Sequence, residues 1–104
     1  MKQHLNSDQT AKLIELGFDK PRLLYFGNNT IGHYAYSIGE LLSFLPENIA
    51  KENEMPSTLN ISLMDGEWCV EYADFLGPDF SFHSVELIDA IFNMLTKLKE
   101  RGMI

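Results

Sequence analysis

The sequence predicts a two-layer α+β domain: a small antiparallel sheet of two hairpins, packed on a long C-terminal helix, with two shorter helices. Three observations lead there. Leu59 to Tyr72 alternates apolar and polar residues on both sides of Asp65-Gly66, a dipeptide that tolerates the positive φ of a type I′ hairpin turn. Val85 to Arg101 repeats apolar residues at helical spacing. Two earlier segments begin and end with helix-capping signals.

The first helix is expected from about Asp8 to Leu16. Ser7 is its N-cap, Gly17 supplies the left-handed residue after its end, and Phe18 folds back on Leu13. Leu23–Phe26 and Ile31–Tyr36 read as a first hairpin joined through Gly27-Asn28-Asn29-Thr30. Ser37 and Glu40 then have capping-box spacing, flanked by Tyr36 and Leu41 at hydrophobic-staple positions. This second helix is short, because Pro46 disfavours helical geometry at Leu45. The polar stretch from Pro46 to Ser57 is expected to be a surface loop.

Counting outward from Asp65-Gly66 pairs Met64 with Glu67, Leu63 with Trp68, Ile61 with Val70 and Leu59 with Tyr72. The intervening pairs are Ser62 with Cys69 and Asn60 with Glu71. One face is built for a core, where Trp68 and Tyr72 belong, and the other for water. Gly77-Pro78-Asp79 is expected to turn the chain into a short strand, Phe80 to Phe82. In the last helix Val85, Ile88, Ile91, Phe92, Leu95 and Leu98 form the apolar stripe, widened by Leu87 and Met94. Glu86 and Asp89 suit its positive end, and Lys97, Lys99 and Arg101 its negative end. Gly102 stops it, and Met103 reaches back to Leu98.

The 104 residues make a single domain, long enough for a core without covalent staples. One cysteine excludes an intrachain disulfide and points to a reducing compartment. Lys2, His4, Asp8 and Lys12 leave no room for the apolar run of a signal peptide, and no run is long enough to span a bilayer. The expectation is a soluble cytoplasmic protein. The net charge of −7 lies in residues 46–80, which hold eight acids against Lys51, while the flanking thirds are balanced. Such a charge argues against nucleic acid and against anionic membranes as partners, both of which demand a basic footprint.

The residue pattern spells out no recognisable reaction. Cys69 falls on the polar face beside Glu67 and Glu71, and neighbouring carboxylates disfavour the reactive thiolate. His4, His33 and His83 are scattered without metal-ligand spacing, and His83 reads as a lead-in to the last helix. Glu67 and Glu71 lie about 13 Å apart along one strand, too far to share a proton. No phosphate-cradling glycine loop, calcium loop or nucleophile elbow is present, so no catalytic, cofactor-binding or metal-binding residue is assigned.

In its Tyr34-Ala35-Tyr36-Ser37-Ile38-Gly39-Glu40-Leu41-Leu42, Glu67-Trp68-Cys69-Val70-Glu71-Tyr72 and Glu86-Leu87-Ile88-Asp89-Ala90 segments, the chain resembles small uncharacterised proteins of Bacteroides-type gut bacteria and their prophages or mobile elements. The resemblance implies a bacterial or phage cytoplasmic protein with no assigned activity, and its motifs are structural.

A complete structural grammar without a catalytic one makes a non-enzymatic interaction or accessory module the leading expectation. Glu47, Glu52, Glu54, Glu67 and Glu71 are its candidate contact residues, steering a basic protein partner. The alternatives are a small hydrolase-like enzyme using Cys69 and His83, which requires those two to converge, and a homodimer formed through an open strand edge.

Overall fold

Apolar stripes at helical and strand spacing dictate two kinds of element that cover each other, and the computed structural model, which describes residues 1–26, 32–50 and 55–104, has that α+β architecture. In chain order the elements are α1 (Ser7–Glu15), β1 (Leu23–Phe26), β2 (Gly32–Ala35), α2 (Ile38–Phe44), β3 (Asn48–Ile49), β4 (Ser57–Met64), β5 (Glu67–Asp74), β6 (Gly77–Ser84) and α3 (Leu87–Glu100). β3 to β6 form an antiparallel sheet in sequence order, and α3 packs on it against β5 and β6. β1 and β2 form a separate antiparallel pair, and their connection, residues 27–31, lies outside the described residues.

The β4–β5 hairpin has the register counted from the sequence. Leu59 faces Tyr72, Ile61 faces Val70, Ser62 faces Cys69 and Leu63 faces Trp68. Asp65 and Gly66 adopt φ of 52° and 79°, the left-handed pair that this turn needs. Val70 and Tyr72 are fully buried, and Leu59, Ile61 and Trp68 pack partly against the same core. The apolar face outruns its cover, however. Leu63 is 54% exposed, because the hairpin tip extends beyond the buried cluster.

α3 contributes Leu87, Ile88, Ala90, Ile91, Met94, Leu95 and Leu98 to the core. It begins at Leu87 and not at Val85, since β6 runs on to Ser84 and the Ser84 hydroxyl accepts from the Glu86 backbone N–H at 3.1 Å. Val85 is consequently outside the helix and exposed. Gly102 takes φ of 69° and the Met103 N–H donates to the Leu98 carbonyl, ending the helix as its sequence indicates.

The short helices follow their caps. The α2 box is made as expected: Ser37 Oγ accepts from the Glu40 N–H, and Glu40 Oε1 accepts from the Ser37 N–H. α1 is capped by Asn6 and not Ser7. Asn6 Oδ1 accepts from the Gln9 N–H at 2.8 Å, and Gln9 Oε1 accepts from the Asn6 N–H at 3.1 Å, an amide version of the same box. Gly17 at φ of 98° and the Phe18 N–H to Leu13 carbonyl bond close it.

Two further expectations change. Within the stretch read as a loop from Pro46 to Ser57, Asn48–Ile49 pairs with Thr58 and Ser57, burying Ile49. Residues 51–54 lie outside the described residues. The turn read at Gly77-Pro78-Asp79 falls instead at Phe75-Leu76, and β6 already begins at Gly77. Asp74 makes the difference: its Oδ1 accepts from the Leu76 N–H at 2.8 Å, a local turn that Gly77 completes with φ of 126°. Pro78 is tolerated there because β6 is an edge strand.

The N-terminal segment is tied to the start of α3. The Lys2 N–H donates to Glu86 Oε2, and Lys2 Nζ reaches Asp89 Oδ1 and Gln9 Oε1, each at 2.9 Å. Gln9 Nε2 also donates to Asp89. Burial alone would raise the Asp89 carboxyl. The Gln9 and Lys2 hydrogen bonds and the Lys2 charge outweigh it and hold the carboxyl below its ordinary value.

Leu95→Ala should cost about 2–5 kcal/mol, because it opens a cavity in a fully buried stripe. Leu63→Ala should stay within about 0.5 kcal/mol, as expected of an exposed site. Urea titration of both variants compares them directly. A depressed carboxyl pKa stabilises the fold above the unfolded value, near about pH 4, and that contribution vanishes as pH falls through the folded value. The stability gap between wild type and Asp89→Asn should therefore be constant above about pH 5 and close below about pH 4 in urea melts run across pH.

Candidate functional site

Strand parity assigns the side of the sheet away from α3. With Trp68, Val70 and Tyr72 packed toward the core, Glu67, Cys69 and Glu71 project from the other face of β5. On β6, Phe80 and Phe82 pack against the core and Ser81 and His83 alternate with them. Asn60 and Ser62 of β4 complete the face, opposite Glu71 and Cys69. It is a polar surface with no helix packed over it among the described residues.

At its centre four side chains meet. Cys69 and His83 are register partners, and Cys69 Sγ stands 3.7 Å from His83 Nε2. Ser81 Oγ lies 3.5 Å from the same sulfur and 3.2 Å from the same ring nitrogen. The thiol also donates to Glu71 Oε2 at 3.8 Å, and Asn60 Nδ2 donates to Glu71 Oε1 at 3.3 Å. Cys69 and Glu71 are half-buried, whereas Ser81 and His83 are exposed, so the cluster sits on the surface and not inside a cleft.

Imidazole and carboxylate act on this sulfur in opposite senses. His83 can take the thiol proton directly or through the Ser81 hydroxyl, favouring the nucleophilic form. Glu71 opposes the negative charge that results. Among the described residues, no group of three or more His, Cys, Asp or Glu side chains is disposed to hold a metal ion.

The convergence of Cys69 with His83 is what sequence reasoning underrated. His83, expected as a lead-in to the last helix, lies within β6, and the hydroxyl that accepts from the Glu86 N–H ahead of α3 is that of Ser84. The signal was Asp74 and Gly77: closing the turn there and counting back along β6, with the irregularity at Tyr72/Ala73, brings His83 opposite Cys69.

The acidic candidates separate. Glu67 and Glu71 share the open face, Glu67 exposed and Glu71 engaged by Asn60 and the thiol. Glu47 is exposed just ahead of β3, and its carbonyl accepts from the Leu59 N–H. Glu52 and Glu54 lie outside the described residues. Concavities elsewhere among the described residues include two beside the α1–β1 connection. One, of about 250 Å³, is lined by Asp19, Lys20, Arg22, Glu40, Ser43 and Phe44. The other, of about 410 Å³, is an apolar groove between Ile14, Pro21 and Tyr34 with Lys20 at its side.

Fold and site together define a small α+β protein with an exposed polar sheet face. No family model, curated protein or solved structure matches the chain. Among the described residues no helix is long and apolar enough to cross a membrane.

The thiol chemistry is measurable. Iodoacetamide should alkylate Cys69 in the folded protein, and His83→Ala, which removes the imidazole placed 3.7 Å from the sulfur, should slow that reaction at pH 7 while leaving the thermal midpoint in place. Mass spectrometry of timed aliquots reads the rate.

Proposed function

We propose that this chain is a non-enzymatic accessory protein of a bacterial or mobile-element system, acting in the cytoplasm by binding a basic protein partner through its acidic surface. The observation that carries this reading is the open side of the four-stranded sheet, where Glu67 and Glu71 stand among polar groups with no covering element among the described residues. A rigid, accessible surface of this kind needs no induced fit, and its carboxylates steer a cationic partner over a distance set by ionic strength. Glu47 extends the acidic character toward the β3 side of the same sheet.

A second reading is supported by one distance. Cys69 Sγ and His83 Nε2 at 3.7 Å, a long sulfur hydrogen bond, place a nucleophile beside a base, so a small hydrolase-like activity is the alternative. The exposure of His83 and Ser81 weighs against it, because hydrolysis benefits from a site that encloses its substrate and excludes water.

Affinity capture from the native host at about 50 mM and 300 mM salt, with wild type, the Glu67→Lys/Glu71→Lys double variant and Cys69→Ala, separates the two. The interaction reading expects one partner that fades at high salt, disappears with the charge-reversed chain and survives Cys69→Ala. Capture indifferent to both salt and charge reversal removes the acidic face as the contact.

A further inference from the structure

β6 is the end strand in the order β3-β4-β5-β6, and among the described residues β5 is its strand partner. An edge strand presents unpaired backbone groups, and native proteins blunt such edges with prolines, charges or bulges. In β6 these devices crowd the beginning: Pro78, Asp79, and the register irregularity opposite Tyr72/Ala73. From Phe80 to Ser84 there is no proline, no carboxylate, no lysine and no arginine, and pairing with β5 is regular from Tyr72↔Phe80 to Trp68↔Ser84. Among the described residues, five consecutive positions thus form an unprotected edge on a chain whose net charge of −7 otherwise discourages self-contact.

We propose that this edge is occupied by a second copy of the chain. β6 pairs antiparallel with β6 of the second copy about a two-fold axis at Phe82, and two four-stranded sheets become one continuous sheet. This register keeps the contact within the unblunted span. Phe82 meets its own symmetry mate, Ser81 lies opposite the partner subunit's His83, and Phe80 lies opposite the partner subunit's Ser84. Carboxylates stay clear of the contact: Asp79, the acid of β6, stands at the irregular start and is engaged by the Ser57 hydroxyl.

Two features favour a second copy over an unrelated strand. Phe80 and Phe82 are half-buried on the α3 side, and pairing about Phe82 brings the aromatic side chains of both copies together where each retains solvent exposure. The helices also fit. α3 packs over both β5 and β6, so joining the two sheets through β6 brings the α3 helices of both copies onto the same face, one on either side of the seam.

Sedimentation velocity of the full chain from low to several hundred micromolar tests this. The wild type should sediment at twice its 11.9 kDa chain mass. Ser81→Lys/His83→Lys, at two exposed positions of the edge, should raise the dimer dissociation constant at least about tenfold by setting like charges opposite each other, with an unchanged circular dichroism spectrum. Glu67→Lys, which addresses the acidic face, should leave the dimer intact, so this proposal and the partner-binding reading fail separately. Independently of any variant, amide exchange in Phe80–Ser84 should slow as the wild type is concentrated. A monomer at every concentration, a dimer indifferent to the double lysine variant, or a dimer lost with Glu67→Lys alone would overturn the edge contact.

Discussion

Side chains on a strand point alternately to its two faces, so the register of the β4–β5 hairpin decides both what the core contains and what the open surface displays. Asp65 and Gly66, with their positive φ, set that register at a single point. A slip by one residue would turn Val70 and Tyr72 to solvent and bring Cys69 and Glu71 beneath α3, burying a carboxylate in an apolar layer. Turn geometry and burial therefore select the same pairing. The polar cluster depends on it too, since Cys69 meets His83 because β5 and β6 each keep their apolar residues on the helix side.

The rest of the chain is organised around α3. Its buried stripe meets the sheet, while Leu5, Leu13, Tyr36, Leu41 and Leu45 from the N-terminal half join the same core. Two buried tyrosines supply apolar area and use their hydroxyls to hold connections in place. Tyr36 donates to the Asp19 carbonyl, and Tyr72 donates to the Pro46 carbonyl at 2.6 Å. Burial pushes both phenols up to about 12, with the Glu40 and Asp19 charges adding to the effect at Tyr36, so both remain neutral donors across physiological pH. At the far end of α3 the Lys99 ammonium sits 5.3 Å over the Phe18 ring, and Phe18 in turn packs on Phe44. The early helices are thus fastened to α3 at both its ends: Lys2 and Gln9 meet Asp89, and Phe18 meets Lys99.

What could be read in the sequence was what depends on near neighbours. The β4–β5 pairing needs a turn dipeptide and a count, the α2 box needs Ser37 and Glu40 three apart, and the α3 stripe needs its own spacing. What escaped depends on partners distant in the chain or on segments too short to show a period. Asn48–Ile49 is two residues long and becomes a strand because Ser57 and Thr58 lie beside it. Leu63 has the pattern of a core residue but sits past the end of the buried cluster, a matter of where the core stops and not of local preference. The start of β6 was obscured by Gly77-Pro78, a dipeptide that usually marks a turn, while Asp74 made the turn two residues earlier. The candidate site shared that error, since misplacing the turn hid the side chain opposite Cys69.

The proposed role of the open face in recognition draws its physical rationale from the contacts of that face. A catalytic thiol gains from an imidazole that draws off its proton and from surroundings that stabilise the resulting charge. Here the imidazole is present, but the thiol's other contacts are the Ser81 hydroxyl at 3.5 Å and the Glu71 carboxylate at 3.8 Å, and the carboxylate charge works against the nucleophile. Around it, Ser81 and His83 stand in solvent, so a developing oxyanion would be shared between this surface and water and would gain little from preorganised donors. The same exposure is no handicap to a binding surface. Polar groups that are already solvated, held on paired strands and fixed by a core on the reverse side lose little conformational freedom when a partner arrives, and the sheet presents them in one orientation.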